Sequence, residues 1–128
     1  MSDKFTVEII APNKTILKIE TSEVTIPSYE GQIGILKDHI PLITFLRPGI
    51  ISLENQEKKY YVEEGTVEFS NNNLLILTST ARNLAELNQS SIEDLLSVAE
   101  SQLHDNNSSD KEKYISSYKI STLKEINQ

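Results

Sequence analysis

The chain has no cysteine and no tryptophan, and only two histidines, four glycines and four prolines occur among its 128 residues. Without cysteine it can form no disulfide and offers no thiolate for catalysis or metal binding. Because His39 and His104 lie in different parts of the sequence, a zinc site would need carboxylates for most of its ligands. These shortages argue against a metal centre, a disulfide scaffold and a cysteine-based enzyme.

Positive charge and long apolar runs are scarce as well. The chain has 12 Lys and Arg against 19 Asp and Glu, a net charge of −7. A nucleic-acid partner needs a clustered basic face, so none is expected, and an unaided contact with an anionic membrane is disfavoured for the same reason. No apolar run approaches the roughly 20 residues that span a bilayer. The start MSDKFTVEII lacks the pattern of a signal peptide, so we expect no secretory leader.

Short alternating runs dominate the first two thirds of the sequence. Apolar residues recur at every second position, and Gly, Pro and Asn clusters separate the runs. The predicted strands are residues 5–10, 15–20, 23–27, 32–36, 41–46, 49–55, 59–65, 66–70 and 74–80. Many short strands with turn signals between them predict an antiparallel β-sandwich or flattened barrel over residues 1–86.

The pattern changes in residues 87–128, where apolar residues recur at helical spacing. Ser90 with Glu93 and Ser109 with Glu112 have the spacing of capping boxes, which begin helices. About five residues separate the two predicted helices, and so short a link makes them antiparallel neighbours. The sequence therefore predicts an α+β protein in which a β-sandwich precedes an antiparallel two-helix hairpin.

The stretch EGQIGILKDHIPLITFLRPG (30–49) contains the residues that most resemble a catalytic site. Asp38 and His39 with Ser28 could suggest a serine triad, but adjacent Asp and His side chains do not align in that geometry. Glu63 and Glu64 could suggest a glycosidase pair, yet on one strand they point to opposite faces. We therefore predict no catalytic residue, no metal ligand and no cofactor site.

The glycines and prolines of this stretch indicate a structural role, in which they set the course of the backbone. Gly31 and Gly34 permit a positive φ or a bulge in a strand region. Pro41 and Pro48 bracket a predicted strand, and Gly49 begins the next strand. These residues predict a set of turns that shapes an edge of the sandwich.

The same stretch carries a resemblance to a known family. VTIPSYEGQIGILKDHIPLITFLRPGII (24–51) resembles the pattern EGxxGI, HxPLIT and LxPGxI of the epsilon subunit of the F-type ATP synthase. YYVEEGTVEFSNNNLLILTSTA (60–81) and the two C-terminal helices match that family in the same order. The resemblance implies a non-catalytic central-stalk subunit that turns with the gamma subunit and the c-ring and couples H⁺ or Na⁺ translocation to ATP synthesis.

The resemblance also implies which residues meet partners. Glu30, Gln32 and His39 match positions that face the c-ring, although Gln32 stands where an acid is common in the family. Leu42 and Thr44 match positions near the gamma subunit. For His39 a structural alternative stays open, in which its ring bonds a neighbouring carbonyl in a turn.

The C-terminal helices depart from the family pattern. Some relatives bind ATP through an I/L-D-x-x-R-A motif, and here Glu93 replaces the aspartate and Leu96 the arginine. Because leucine cannot grip phosphate oxygens as an arginine fork does, we predict no measurable ATP binding. In many bacterial relatives the helices can extend into the alpha-beta hexamer and block ATP hydrolysis, and this acidic tail implies weaker inhibition.

The expected location follows from the same resemblance. The subunit should lie peripherally at the cytoplasmic face of a bacterial inner membrane, held there only by partner subunits. The alternative from another class is a free-standing β-sandwich binding module. Such a module would need exposed aromatic residues in a groove, and of the adjacent Tyr60 and Tyr61 we expect one to lie in the core.

Overall fold

A computed structural model describes residues 3–54 and 57–126 of the chain. The chain divides between Leu84 and Ala85 into two compact units, a β unit and a helical unit. The sequence placed this boundary after residue 86. Among the described residues no helix is both long and apolar enough to cross a bilayer.

In the part of the chain that the structure describes, the β unit contains ten strands and the helical unit two α-helices. The strands are β1 (Phe5–Ala11), β2 (Lys14–Thr21), β3 (Glu23–Ser28), β4 (Gly31–Leu36), β5 (Leu42–Leu46), β6 (Gly49–Leu53), β7 (Lys58–Val62), β8 (Gly65–Ser70), β9 (Asn73–Leu77) and β10 (Arg82–Asn83). A 3-10 helix (Leu84–Glu86) follows, and the helices are α1 (Gln89–His104) and α2 (Asp110–Ile126).

The predicted strands all exist, and the α+β fold class is confirmed. Two predicted ends were too long, since β7 stops at Val62 and β9 at Leu77. The predicted end of β6 at residue 55 lies outside the described residues. β10 and the 3-10 helix were not predicted, because a two-residue strand has no period to detect.

The strands form one strongly curled sheet in the order β10-β7-β6-β3-β5-β8-β9-β1-β2, with β4 paired to β3. β3 joins two parts of the sheet, because it pairs with β6 through Val24 and Thr25 and with β5 through Ser28. One strand thus contributes to both halves of the sandwich. β1 and β9 run parallel, which corrects the expectation of a purely antiparallel sheet.

Alternation along the strands forms the core of the β unit. One face of each strand is buried, and the cluster includes Phe5, Val7, Ile9, Val24, Ile26, Ile35, Ile51, Phe69, Leu74 and Ile76. Phe5 and Phe69 meet edge to face with ring centroids 5.6 Å apart. Burying each such side chain contributes about 1.5–3 kcal/mol, so the core fixes which face of every strand points outward.

Two tight approaches show why glycine occupies certain positions. A Cβ on Gly49 would lie 2.5 Å from Pro27 Cβ, so β6 passes β3 at a distance that only glycine permits. Gly65 has φ 153°, and its Cβ would lie 2.5 Å from the carbonyl oxygen of Leu77. The sequence placed Gly65 at the junction of two predicted strands but did not indicate this close approach.

β7 departs from simple alternation, because Tyr60 and Tyr61 are both buried. The expectation that only one of them lies in the core was therefore wrong. Tyr61 donates a hydrogen bond from its hydroxyl to Glu63 Oε2 at 2.9 Å. Burial raises the pKa of Tyr61 above its ordinary value, and the Glu63 carboxylate raises it further.

The helical unit is the predicted antiparallel hairpin, with five residues, 105–109, between its helices. α2 begins with the predicted capping box, in which Glu112 N donates to Ser109 Oγ at 3.1 Å and Ser109 N donates to Glu112 Oε1 at 3.2 Å. α1 begins differently, since Asn88 is the N-cap and its side chain accepts from Ser91 N. The predicted capping box of Ser90 and Glu93 was wrong, because the N-cap is Asn88 and the helix starts two residues earlier.

Candidate docking surface

The turn between β3 and β4 presents Glu30 in a fixed position. Ser28 Oγ donates to the Gly31 carbonyl oxygen at 2.7 Å and accepts from Glu30 N at 3.1 Å. Gly31 has φ 114°, a conformation that favours glycine. The positive φ expected at Gly31 is therefore present, and it closes the turn on which Glu30 is exposed.

Glu30 is tied to the neighbouring strand β5. Thr44 Oγ1 donates to Glu30 Oε1 at 3.3 Å. This contact brings together two residues that the sequence assigned to different partners. Because Thr44 is only 4% exposed, its side chain supports the turn and is not available to a partner.

Leu42 and Thr44, the two residues that the sequence predicted to contact the gamma subunit, lie on the inward face of β5. Leu42 is partly buried and packs against the core, while the outward residues of the strand are Ile43 and Phe45. Ile43 is 76% exposed and Phe45 62% exposed. Period two on a strand allows either face, and the core of the folded unit decides which one is inward.

Ile43 and Phe45 belong to a wider outward face. In the sheet, Phe45 lies beside Thr66, whose other neighbour is Leu77, and Leu77 is also exposed. We call Ile43, Phe45 and Leu77 the apolar strip. Exposed apolar side chains grouped on one face indicate an interaction surface.

The loop between β4 and β5 is fastened to the turn between β8 and β9. Asp38 N donates to Asn72 Oδ1 at 2.7 Å, and Asn72 Nδ2 donates to Asp38 Oδ1 at 3.0 Å. Asn71 and Asn72 have φ values of 50° and 58°, which asparagine tolerates in tight hairpin turns. Thr6 N also donates to the Asn72 carbonyl oxygen at 3.1 Å, so this turn joins three parts of the β unit.

His39 is held by local contacts. Its Nδ1 lies 2.7 Å from the Ile40 carbonyl oxygen, and its ring meets Phe69 edge to face at 5.8 Å. The structural alternative for His39 therefore has direct geometric support. Since the side chain is half-buried and not fully enclosed, contact with a c-ring stays a prediction.

The remaining residues of the predicted edge take ordinary strand and turn positions. Gln32 is exposed on β4 opposite Pro27. Gly34 lies inside β4 in regular register with Thr25 and has no positive φ, so the expectation of a turn or bulge there was wrong. Pro41 directly precedes β5, and Gly49 begins β6 as predicted.

No catalytic arrangement forms around these residues. The Asp38 carboxylate bonds Asn72 and does not orient His39. Glu63 N and Glu64 N both donate to Thr80 Oγ1, and the Tyr61 hydroxyl donates to the Glu63 carboxylate. These hydrogen bonds give the two acids a structural role in a turn. Within residues 3–54 and 57–126 no group of three or more His, Cys, Asp or Glu could hold a metal ion.

Comparison with known proteins agrees with this geometry. The beta-sandwich domain of the ATP synthase delta/epsilon chain matches residues 4–84. The ATP synthase epsilon chain of Pelagibacter ubique (strain HTCC1062) is 45% identical over 130 residues, which cover 99% of this chain and 100% of the relative. The epsilon chain of Dichelobacter nodosus (strain VCS1703A) is 34% identical over 103 residues, covering 78% of this chain and 72% of the relative.

A solved structure shares the fold. A chain in the cryo-EM structure of the Euglena gracilis mitochondrial ATP synthase superimposes with a TM-score of 0.76 at 18% identity, covering 99% of this chain and 81% of that chain. The family match spans most of the sequence, and the Pelagibacter relative aligns from end to end. The chain belongs to the ATP synthase delta/epsilon chain family.

Proposed function

We propose that the chain is a non-catalytic central-stalk subunit of an F-type ATP synthase, which turns with its partners and couples ion translocation to ATP synthesis. The observation that carries this proposal is the apolar strip on β5 and β9, displayed on a sheet whose loops are bonded to one another. Family membership supplies the context, and the strip supplies a surface that a partner must cover.

A subunit that transmits torque must not yield at its contact points. Here the Glu30 turn is bonded to β5, and the Asp38 loop is bonded twice to Asn72. Each such hydrogen bond adds about 0.5–1.5 kcal/mol, and together they fix two loops that would otherwise move independently. The bonds make the edge a rigid contact and not an adaptable one.

The partner assignments follow from what each surface offers. Ile43 and Phe45, and not the inward Leu42 and Thr44, suit an apolar contact with the gamma subunit. Large apolar side chains at the centre of an interface contribute most of its binding energy. The polar side chains Glu30, Gln32 and His39 suit contact with the polar loops of a c-ring, and they stay the candidates for that partner.

Catalysis belongs to other subunits in this proposal. The described residues supply hydrogen-bonded turns where a catalytic pair was conceivable. The chain therefore contributes position and rotation to the complex, while the alpha-beta hexamer performs the ATP chemistry. The alternative of a free-standing binding module has no specific observation in its favour.

The helical unit is the part assigned to the alpha-beta hexamer. Its first helix has Leu96 where ATP-binding relatives have arginine, and Leu96 lies on a face with Glu93 and Glu100. Two carboxylates beside the position repel phosphate, which adds to the loss of the arginine fork. ATP regulation of this unit is not expected, and inhibition of hydrolysis should be weak.

The chain reaches the membrane through its partners in this proposal. Gamma and the c-ring would hold it peripherally at the cytoplasmic face of a bacterial inner membrane. Its net charge of −7 gives an anionic lipid surface no electrostatic reason to bind it directly.

The proposal is tested by binding to the purified gamma subunit. Replacing Phe45 with serine should weaken binding by about 10- to 100-fold, since truncating a large interface side chain costs about 1.5–3 kcal/mol. Val98→Ser is the matched control, because Val98 is similarly exposed but lies on α1. Equal affinity of the Phe45→Ser and Val98→Ser variants would contradict the assignment of the strip.

A further inference from the structure

Among the described residues the curled sheet ends at three strands, β2, β10 and β4, which differ in how they are protected against pairing with another chain. β2 forms one edge and carries Lys14, Lys18 and Glu20, and its register shifts at Ile16, which falls between the residues paired with Ile9 and Ile10 of β1. β10 forms another edge and is only two residues long. Charges, irregularities and shortness are the usual means by which proteins block edge pairing.

β4 forms the third edge and has none of these protections. Within the described residues it pairs with β3 alone, in an unbroken register from Gly31 to Leu36. Its sequence GQIGIL contains no charge and no proline, and four of its six residues are exposed. An open, uncharged edge of this length is a template for an added strand.

The main-chain groups that point outward can be identified. The Leu36 carbonyl oxygen accepts from His39 N at 3.1 Å, so the main chain of Leu36 points away from β3. Because alternate residues of an antiparallel strand point to opposite sides, Gln32 and Gly34 also point outward. Gly34 has no side chain that could obstruct a neighbouring strand, and even a Cβ there would meet only Glu23 Oε2, at 3.9 Å.

We infer that β4 binds an extended segment of the gamma subunit, the partner assigned to the apolar strip, by antiparallel main-chain pairing with Gln32 and Gly34. This inference rests on the proposed function and deepens it. Apart from the Gln32 side chain, the polar groups of β4 are all main-chain groups, so a partner can recognise the strand mainly through its backbone. Ser28 of β3 pairs with both Gly31 of β4 and Leu46 of β5, so the start of β4 lies near the end of the strand that carries Phe45. A partner seated on the apolar strip would therefore hold its own segment beside β4.

A second copy of the chain is the less favoured occupant. Specific dimers bury about 1,200–2,000 Å² in total, and pairing along six residues supplies far less. A partner already docked on the apolar strip provides the missing area and raises the effective concentration of its segment. Tyr29 before the strand and Leu36 and Ile40 near its other end are exposed apolar residues that such a partner would cover.

The inference is tested by amide hydrogen exchange in the assembled complex of this chain with gamma and the c-ring. Ile33 and Ile35 amides, which face β3, should be protected in the free chain. Gln32 and Gly34 amides should exchange fast in the free chain and at least about tenfold more slowly in the complex. A complex that forms while both amides still exchange fast would overturn the inference and leave the proposed function intact.

A matched pair of variants gives an independent readout. Gly34→Pro removes the outward N–H, and proline is tolerated where an edge strand faces solvent. Gly34→Ala keeps that N–H and is the control. We expect Gly34→Pro to weaken assembly by about tenfold relative to Gly34→Ala, the cost of about one hydrogen bond at an interface.

Two further outcomes count against the inference. Equal assembly by the proline and alanine variants would overturn it. Protection of Gln32 and Gly34 amides that rises with the concentration of the isolated chain would show that a second copy is the occupant, which also overturns it. Failure of the unmodified chain to join the complex would instead contradict the proposed function.

Discussion

The four glycines of the β unit allow a quantitative test of the structure. Two constraints can require glycine, a positive φ and a close neighbouring atom, and each of their four combinations occurs at one of these positions. Gly65 has a positive φ and a close neighbour, Gly31 has only the positive φ, Gly49 has only the close neighbour, and Gly34 has neither. Replacing each with alanine adds the same methyl group in four different environments. The differences in stability should therefore follow the constraints and not the chemistry of the substitution.

The expected costs can be worked out from the geometry. A positive φ costs an L-residue about 1–2 kcal/mol, which is the whole cost for Gly31→Ala. Forcing a methyl group against packed atoms costs about 1–3 kcal/mol, which applies to Gly49→Ala, where Pro27 lies 2.5 Å away. Gly65→Ala incurs both and should cost about 2–5 kcal/mol. Gly34→Ala should stabilise by about 0.4–1 kcal/mol, because it restricts the unfolded chain alone.

Thermal unfolding followed by circular dichroism measures these differences. For a domain of this size a change of 1 kcal/mol moves Tm by about 4–8 °C, so Gly65→Ala should lower Tm by at least about 8 °C. Gly65 pairs with Leu46 at the end of β5, so this residue also holds the strand that carries the apolar strip. A Gly65→Ala variant as stable as Gly34→Ala would refute the reasoning, as would a Gly34→Ala variant that loses more than about 1 kcal/mol.

Three other perturbations test separate features. Asn72→Ala should destabilise the β unit by about 1–3 kcal/mol in urea denaturation, because two hydrogen bonds to Asp38 are lost, while Asn71→Ala, which shares the backbone strain, should cost less. Because its pKa is raised, Tyr61 should remain protonated in the folded state above pH 10 while it ionises in the unfolded state, so the free energy of unfolding should fall as pH rises. Tyr61→Phe should reduce that slope by about 1.4 kcal/mol per pH unit. Equal slopes for the two proteins would contradict the raised pKa. Isothermal calorimetry at millimolar ATP should give no saturable signal, because Leu96 replaces the arginine of ATP-binding relatives, and a saturable signal would overturn that prediction. Deleting residues 88–128 should raise the ATPase activity of the assembled complex only slightly, and a large rise would contradict weak inhibition.

The strands could be predicted because alternation is a local signal. The runs from Phe5 to Leu77 show it directly, and the core then forms from the residues that share a face. Pairing between distant strands is not local. The parallel pairing of β1 with β9 and the division of β3 between β6 and β5 depend on how the whole chain curls, which no window of sequence contains.

The sequence named the inward residues of β5 as partner contacts, whereas the exposed residues of that strand are Ile43 and Phe45. Leu42 and Thr44 alternate with Ile43 and Phe45, and the sequence of β5 reads as apolar on both sides apart from Thr44. Thr44 is polar yet buried because Glu30 accepts its hydrogen bond, a contact across 14 residues that spacing could not reveal. The N-cap Asn88 was missed for a simpler reason, since Ser90 and Asn88 are both good N-caps and only the backbone selects between them.

The most direct test of the central claim is ATP-driven ion pumping by the reconstituted synthase in membrane vesicles, measured together with ATP hydrolysis. The complex with the unmodified chain should couple the two. A complex assembled with the Ile43→Ser, Phe45→Ser double variant should retain hydrolysis and lose most of its pumping, because the rotor contact on β5 is weakened. Undiminished pumping by the double variant, with the variant folded and gamma present, would contradict the account.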